Sequence, residues 1–328
     1  MKKRVLDLRD ENPLLDIAAY ARKGRLPTPA ERLHISLTVH RAPEVMVKVS
    51  GGARTLSGVE RHLAYIGRNG ELSLGIDANG KAAGKGFERG VVRDWNLDVD
   101  ALQNHTRNSA PPRKSPKLVH NIIFSMPPGT SPSAVWKAVR KLALNEWALQ
   151  HRYAMALHTD HDHPHVHVVL KAVSERGVRL NIRKATLRAW RSQFAANLRQ
   201  LSVDANATER AVRRQSRAPI LDGIFRANLR GQSSHMSRRR AAPRVSHVAN
   251  SESAEEIAGE RKLLATRNDV TTGWRKMAAI LAESGDSHGA DDIRRFEAHM
   301  QPVKTEARLT NEHAFGSPQS TRERGEPN

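Results

Sequence analysis

Three histidines, His158, His165 and His167, have the residue type and spacing of a metal centre. They sit in the run His158-Thr-Asp-His-Asp-His-Pro-His-Val-His167, which continues as Val-Val-Leu170. Alternate side chains of a strand share a face, so His165 and His167 point one way and Val166 and Val168 the other. If YAMALH and HVHVVL form a hairpin around residues 159–164, His158 lies opposite His165 on the same face, about 5 Å away. Three converging imidazoles that leave positions open for water and substrate make the pattern of a catalytic metal site, not a closed structural one. Imidazole alone does not select the metal. His161 and His163 read as surface-loop residues. Asp160 and Asp162 are either partners that fix a ring tautomer behind the ligands or turn formers, and Asp160 is the candidate taken as the partner.

A metal beside a phosphodiester can activate water or position a side-chain hydroxyl. The chain has no cysteine and three tyrosines: Tyr20, Tyr65 and Tyr153. Tyr20 falls in an irregular N-terminal stretch, and Tyr153 begins the strand leading to His158, where it reads as a packing residue. Tyr65 differs. On a helical wheel Leu56, Val59, Leu63 and Ile66 cluster, and Tyr65 lies roughly 120° away from them, at about 100° per residue. It is flanked by Arg61 and Arg68, on a side suited to phosphate. Taken by itself, Tyr65 reads as an exposed or half-packed tyrosine, as most tyrosines in such a position are.

The elements that must position these residues follow from periodicity. EVMVKVS (44–50) alternates as a strand, GGARTLSG breaks it, and SGVERHLAYIGRNG has helical spacing ended by Gly67 or Gly70. Residues 75–117 read as an insertion or loop with a short helix from Val91 to Leu102. LVHNIIFSMP is a strand closed by Pro127-Pro128-Gly129, and Thr130 or Ser131 can cap a helix with Pro132 in its first turn. After the histidine hairpin, GVRLNI is a candidate further strand and KATLRAWRSQFAANLRQL an amphipathic helix. The order implies an α+β fold: a mostly antiparallel sheet flanked by helices, followed by a basic, partly helical C-terminal extension.

Composition narrows the partners. Lys+Arg 54 against Asp+Glu 34 gives a formal charge of +20, which points to a polyanion, most often nucleic acid. Hydrophobic residues make up 38% and aromatics 4%, thin for one continuous core. Five segments are expected. Residues 1–43 form a basic, loosely structured arm, and 44–205 the chemistry-bearing domain. Residues 206–250 form an arginine-rich linker, 251–302 a small helical region and 303–328 a disordered tail. The absence of cysteine removes disulfides and thiolate metal sites. No run of apolar residues suggests a membrane span or secretory signal, so no membrane insertion and a cytoplasmic location are expected.

Three motifs in order then resemble a known family. VSGGARTLSGVERHLAYIGRNGELSL, HNIIFSMPPGT and ALHTDHDHPHVHVVLKAV are similar to those of the conjugative relaxases, HUH-type mobilisation nucleases of the T-DNA border endonuclease kind. The resemblance covers about residues 44–205. It implies a metal-dependent DNA transesterase that nicks one strand at a plasmid origin of transfer. Tyr65 would be the nucleophile, His158, His165 and His167 the ligands of Mg²⁺ or Mn²⁺, and Arg61 and Arg68 DNA contacts. It also implies relaxosome accessory proteins and a type IV secretion coupling protein as partners. The middle motif offers Asn121 and Ser125 near the DNA, and with His120 preceding Asn121 none of these receives a catalytic role. A rolling-circle initiator is the alternative, though its tyrosine usually follows the histidines. A non-catalytic nucleic-acid-binding protein with a structural metal is the other.

Overall fold

The computed structural model describes residue 17, residues 24–107 and 115–213, residue 227 and residues 254–300. Among them, Pro27–Glu209 form one compact unit, and Arg210 onward, with the residues before Pro27, form the second. In the first unit six strands make one sheet: β1 (Met46–Gly51), β2 (Leu74–Ile76), β3 (Gly80–Ala82), β4 (Val119–Ser125), β5 (Tyr153–His158) and β6 (His165–Lys171). Their order across the sheet is β1-β4-β6-β5-β2-β3, and every neighbouring pair is antiparallel.

Alternation along the strands gives the sheet two apolar faces, and a helical layer covers each. On one face Val47, Ile122, Phe124, Met155, Val166 and Val168 pack against α5 (Pro132–Glu146) and α6 (Lys184–Arg199) through Val139, Leu142 and Phe194. Phe124 and Phe194 meet edge to face, their centroids 5.4 Å apart. On the other face Val119, Ala154, Ala156 and Val169 lie with Val59, Leu63 and Ile66 of α2 (Leu56–Ile66) and Val91, Val92 and Trp95 from α3 (Phe87–Asp94) and its end. The small alanines of β5 admit α2 closely, which brings that helix to the histidine-bearing end of the same face. The expected α+β arrangement is therefore present.

Three local expectations differ from what forms. Residues 29–39, read as part of a loose arm, are a helix, α1 (Pro29–Val39). Thr28 and Glu31 make a reciprocal capping box, with Thr28 N–H donating to Glu31 Oε2 at 2.7 Å, and Pro29 occupies the first turn. The prolines that suggested irregular chain include the one that starts the helix. Asn206 then ties this segment in: its Nδ2 donates to Thr38 Oγ1 at 3.0 Å, and its carbonyl accepts from Val45 N–H at 2.9 Å. Residues 75–117, read as loop with one helix, hold β2's end, β3, α3 and α4 (Leu97–Arg107). Three-residue strands are too short to show an alternation. GVRLNI makes only an isolated bridge, Val173 to Arg179, and no strand.

The second unit contains two helices among its described residues, α7 (Ala254–Glu283) and α8 (Ser287–Ala298). Asp286 caps α8 by accepting from Gly289 N–H at 2.9 Å, and Trp274, Met277, Ile293 and Phe296 are buried there. Most of the arginine-rich 206–250 stretch and all of 303–328 lie outside the described residues. No described helix is long and apolar enough to cross a membrane.

Candidate functional site

His158 and His165 end and begin the two strands of the β5–β6 hairpin, and they face each other directly in its register. His167, two residues along β6, shares their face. The ring centroids of His158 and His165 are 5.3 Å apart, those of His158 and His167 4.6 Å, and those of His165 and His167 5.0 Å. One nitrogen from each ring falls within 4.8 Å of the others, so the three can hold one metal ion.

Hydrogen bonds decide which nitrogen two of the rings offer. His158 Nε2 lies 2.8 Å from the carbonyl of Ile66, and only an N–H can bond there. Its Nδ1 is then the atom with a free lone pair. His165 Nδ1 lies 3.0 Å from the carbonyl of His163, which leaves Nε2 in the same way. Carbonyl acceptors behind metal-binding imidazoles fix the tautomer and make the ring a better donor to the metal. The donor set and its backing therefore fit a divalent cation.

Electrostatics agree. Burial first, then the neighbouring His158, His165 and His62, beside which a further charge would be repelled, and Arg68 push His167 down to about 3. Burial likewise lowers His158, opposed in part by its bond to Ile66. Both rings are thus held neutral, the form a metal needs.

Tyr65 projects over this cluster from the last turn of α2. Its ring is 5.9 Å from His167, edge to face, and 6.3 Å from His158, yet the residue is 56% exposed. It is off the buried stripe formed by Val59, Leu63 and Ile66. The hydroxyl-bearing ring is therefore next to the histidines and open to a ligand from solvent. Tyr153 is fully buried, packed on Trp147, and its hydroxyl is pushed up to about 12 by burial and Asp77. Tyr20 lies outside the described residues.

The remaining expected residues are placed differently. Asp160 Oδ1 is 4.0 Å from His158 Nδ1, too far for a hydrogen bond, and Oδ2 pairs with Arg68. The orienting acceptor behind His158 is the Ile66 carbonyl, which no sequence pattern announces. The Arg68 hydrogen bond holds the Asp160 carboxyl below its usual range. Arg68 therefore clamps the end of α2 to the histidine loop, and is not a bare cation. Arg61 is exposed, and its Nε donates to Ser57 O within its own helix at 3.2 Å. Ser125 pairs with His165 in the register of β4 and β6, so it shares the histidine face. Asn121 is on that face too, four residues away, with a buried Oδ1 that has no hydrogen-bond partner among the described residues. His120 is lowered to about 4 by burial, Lys117 and Arg179. Sequence reading missed His62, one helical turn before Tyr65, whose ring stacks on Tyr65 at 5.9 Å. Its three-residue spacing from Tyr65 was the available signal.

Comparison with known proteins bears on the same segment. Residues 83–200 match the family model described as "Relaxase: MobA/VirD2-like, nuclease domain". The chain is 28% identical over 141 residues to the T-DNA border endonuclease VirD2 of Rhizobium rhizogenes, covering 39% of this chain and 30% of that protein. The VirD2 proteins of Agrobacterium fabrum and Rhizobium radiobacter match at the same identity, with 30% and 31% of their lengths covered. The chain thus spans about a third of the length of these curated relatives. No solved structure gives a significant match. The histidine cluster lies inside the matched residues and Tyr65 before them. Over residues 83–200 this chain is similar to the nuclease domain of the MobA/VirD2-like relaxases.

Proposed function

We propose that the protein is a relaxase that nicks one strand of plasmid DNA at an origin of transfer, using Tyr65 as nucleophile. The observation that carries this reading is the placement of the exposed Tyr65 ring 5.9 Å and 6.3 Å from two rings of the histidine cluster. A structural metal site would not need an exposed tyrosine at its open side, and a rolling-circle initiator usually carries its tyrosine after the histidines, where this chain has none.

In the proposed reaction the Tyr65 oxygen attacks the scissile phosphorus and its proton passes to solvent. The P–O3′ bond breaks with its electron pair on the departing oxygen, which takes a proton and becomes a free 3′-hydroxyl. The 5′-phosphate stays on Tyr65. One phosphodiester replaces another, so the exchange can reverse and reseal the strand. His158, His165 and His167 would hold the cation, Mg²⁺ or Mn²⁺, which when bound polarises the phosphate and offsets its charge. The chain's own contribution is placement. The Ile66 carbonyl and the Arg68–Asp160 pair hold the end of α2 against the histidine hairpin, so Tyr65 and the phosphate site keep a fixed relation. Arg61, exposed one turn before Tyr65, would meet neighbouring phosphates. The excess of positive charge supplies salt-sensitive, sequence-independent attraction to DNA. Accessory relaxosome proteins, a secretion coupling protein and a cytoplasmic site of action belong to the same reading.

The test is to incubate the protein and Mn²⁺ with labelled single-stranded DNA from its own plasmid origin and resolve the products under denaturing conditions. A covalent protein–DNA species, lost with EDTA and lost in Tyr65→Phe, supports the proposal. Normal nicking by Tyr65→Phe removes the nucleophile assignment.

A further inference from the structure

His62 Nε2 is a buried nitrogen with no hydrogen-bond partner among the described protein groups. A buried polar atom left unmade is costly, and one beside a reaction centre points to a ligand that completes it. The surroundings define that ligand. The His62 ring stacks on Tyr65, with centroids 5.9 Å and planes 23° apart, and meets His167 edge-on at 6.5 Å. With Tyr65 and His167 5.9 Å apart, the three rings form one cluster. His62 contributes no nitrogen to the metal-binding group, which consists of the other three histidines. His151, by contrast, has its Nδ1 2.9 Å from the Lys171 carbonyl.

Resting on the relaxase reading above, we propose that His62 is a catalytic residue that contacts the scissile phosphate. In its Nε2–H tautomer it donates a hydrogen bond to a non-bridging oxygen of the phosphodiester attacked by Tyr65. Charge on the non-bridging oxygens is redistributed as the phosphorus passes through in-line displacement. A preorganised donor there acts mainly on the rate and less on the affinity for DNA. His62 would complete the phosphate site from the helix side, opposite the side supplied by the hairpin histidines. The same helix thereby brings nucleophile and phosphate donor one turn apart.

Two substitutions and a sulfur substitution in the DNA test this in the full-length protein. His62→Leu keeps bulk and removes the donor, while His62→Gln keeps an amide N–H at similar reach. Using single-stranded DNA with the cleavage position mapped for the wild type, His62→Leu should slow single-turnover cleavage by about 100-fold, and His62→Gln should recover most of it. Affinity for the DNA and for Mn²⁺ should change by less than about threefold in both. One phosphorothioate diastereomer at the scissile position should be cleaved slowly by the wild type, and this penalty should shrink in His62→Leu because the donor it disturbs is already gone. The proposal is overturned if His62→Leu cleaves within about threefold of the wild type. It is also overturned if His62→Leu slows the oxygen substrate and both diastereomers by one common factor, or if it weakens Mn²⁺ binding tenfold or more. Failure of the underlying reading appears separately, as an unchanged covalent adduct in Tyr65→Phe.

Discussion

The imidazole of His158 donates from Nε2 to the carbonyl of Ile66 at 2.8 Å, and Ile66 directly follows Tyr65 in the chain. One hydrogen bond therefore sets both the tautomer of a candidate metal ligand and the position of the helix end that carries the candidate nucleophile. Anything that moves the end of α2 should be felt at the metal.

Gly67 gives the means to move it. A Cβ at this position would stand 2.8 Å from Leu74 Cδ1 and 2.9 Å from Phe87 Cζ, both packed against α2. Gly67→Ala must therefore displace these side-chain tips or the helix end itself, and the helix end is expected to give. The expected cost is about 1–3 kcal/mol in stability from the crowding. Mn²⁺ affinity should fall by about 10-fold as the Ile66 carbonyl leaves His158. Urea unfolding and calorimetric Mn²⁺ titration measure the two effects on one sample.

The metal assignment predicts an ordered set of affinities. His158→Ala, His165→Ala and His167→Ala should each abolish or greatly weaken Mn²⁺ binding. Asp160→Asn should change it by less than about 10-fold, because no Asp160 oxygen bonds a ligand nitrogen. The exposed Arg68–Asp160 pair should contribute only about 0–1 kcal/mol to stability. Asp160→Asn should nevertheless slow DNA cleavage, since it releases the clamp between α2 and the hairpin. Equal loss of Mn²⁺ affinity in all four variants would place Asp160 among the ligands instead.

Two histidines outside the metal cluster predict how stability responds to acid. His34 is lowered to about 4 by burial and Arg199, with Glu31 opposing, and His120 to about 4 by burial, Lys117, Arg179 and His151. The folded form thus refuses protons that the unfolded chain accepts below 6.5. Between these limits the unfolded state binds more protons, so stability falls as pH falls from 6.5 towards 4 and is unaffected by these groups above 6.5. Allowing for screening, the pair should cost on the order of 2 kcal/mol across that window. Urea midpoints measured on the metal-free protein should drop accordingly, and the combined variant His34→Gln, His120→Gln should flatten the drop.

What the sequence made legible is unevenly distributed, and the reasons are physical. The hairpin of His158 and His165 was readable because period-two alternation on both sides of a turn leaves only one register that buries Val166 and Val168. Tyr65 was readable because it is an aromatic residue lying off the regular apolar stripe of α2. β2 and β3 were not, since three residues each cannot establish a period, and their place in the sheet comes from pairing β2 with Ala154 and Met155 of β5. The acceptor behind His158 was not, because a backbone carbonyl has no letter in the sequence. Asp160 looked like that acceptor from its spacing, but Arg68, 92 residues away in the chain, takes its carboxylate.

In the proposed reaction Tyr65 becomes covalently joined to DNA. Trypsin cuts after Arg61 and Arg68, so this residue lies in the seven-residue peptide HLAYIGR. The most direct measurement is mass spectrometry of the trypsin- and nuclease-digested protein–DNA adduct formed with Mn²⁺. A nucleotide phosphate is expected on the tyrosine of HLAYIGR. A phosphate on the peptide containing Tyr20 or Tyr153, or nicked DNA with no covalent peptide, would contradict it.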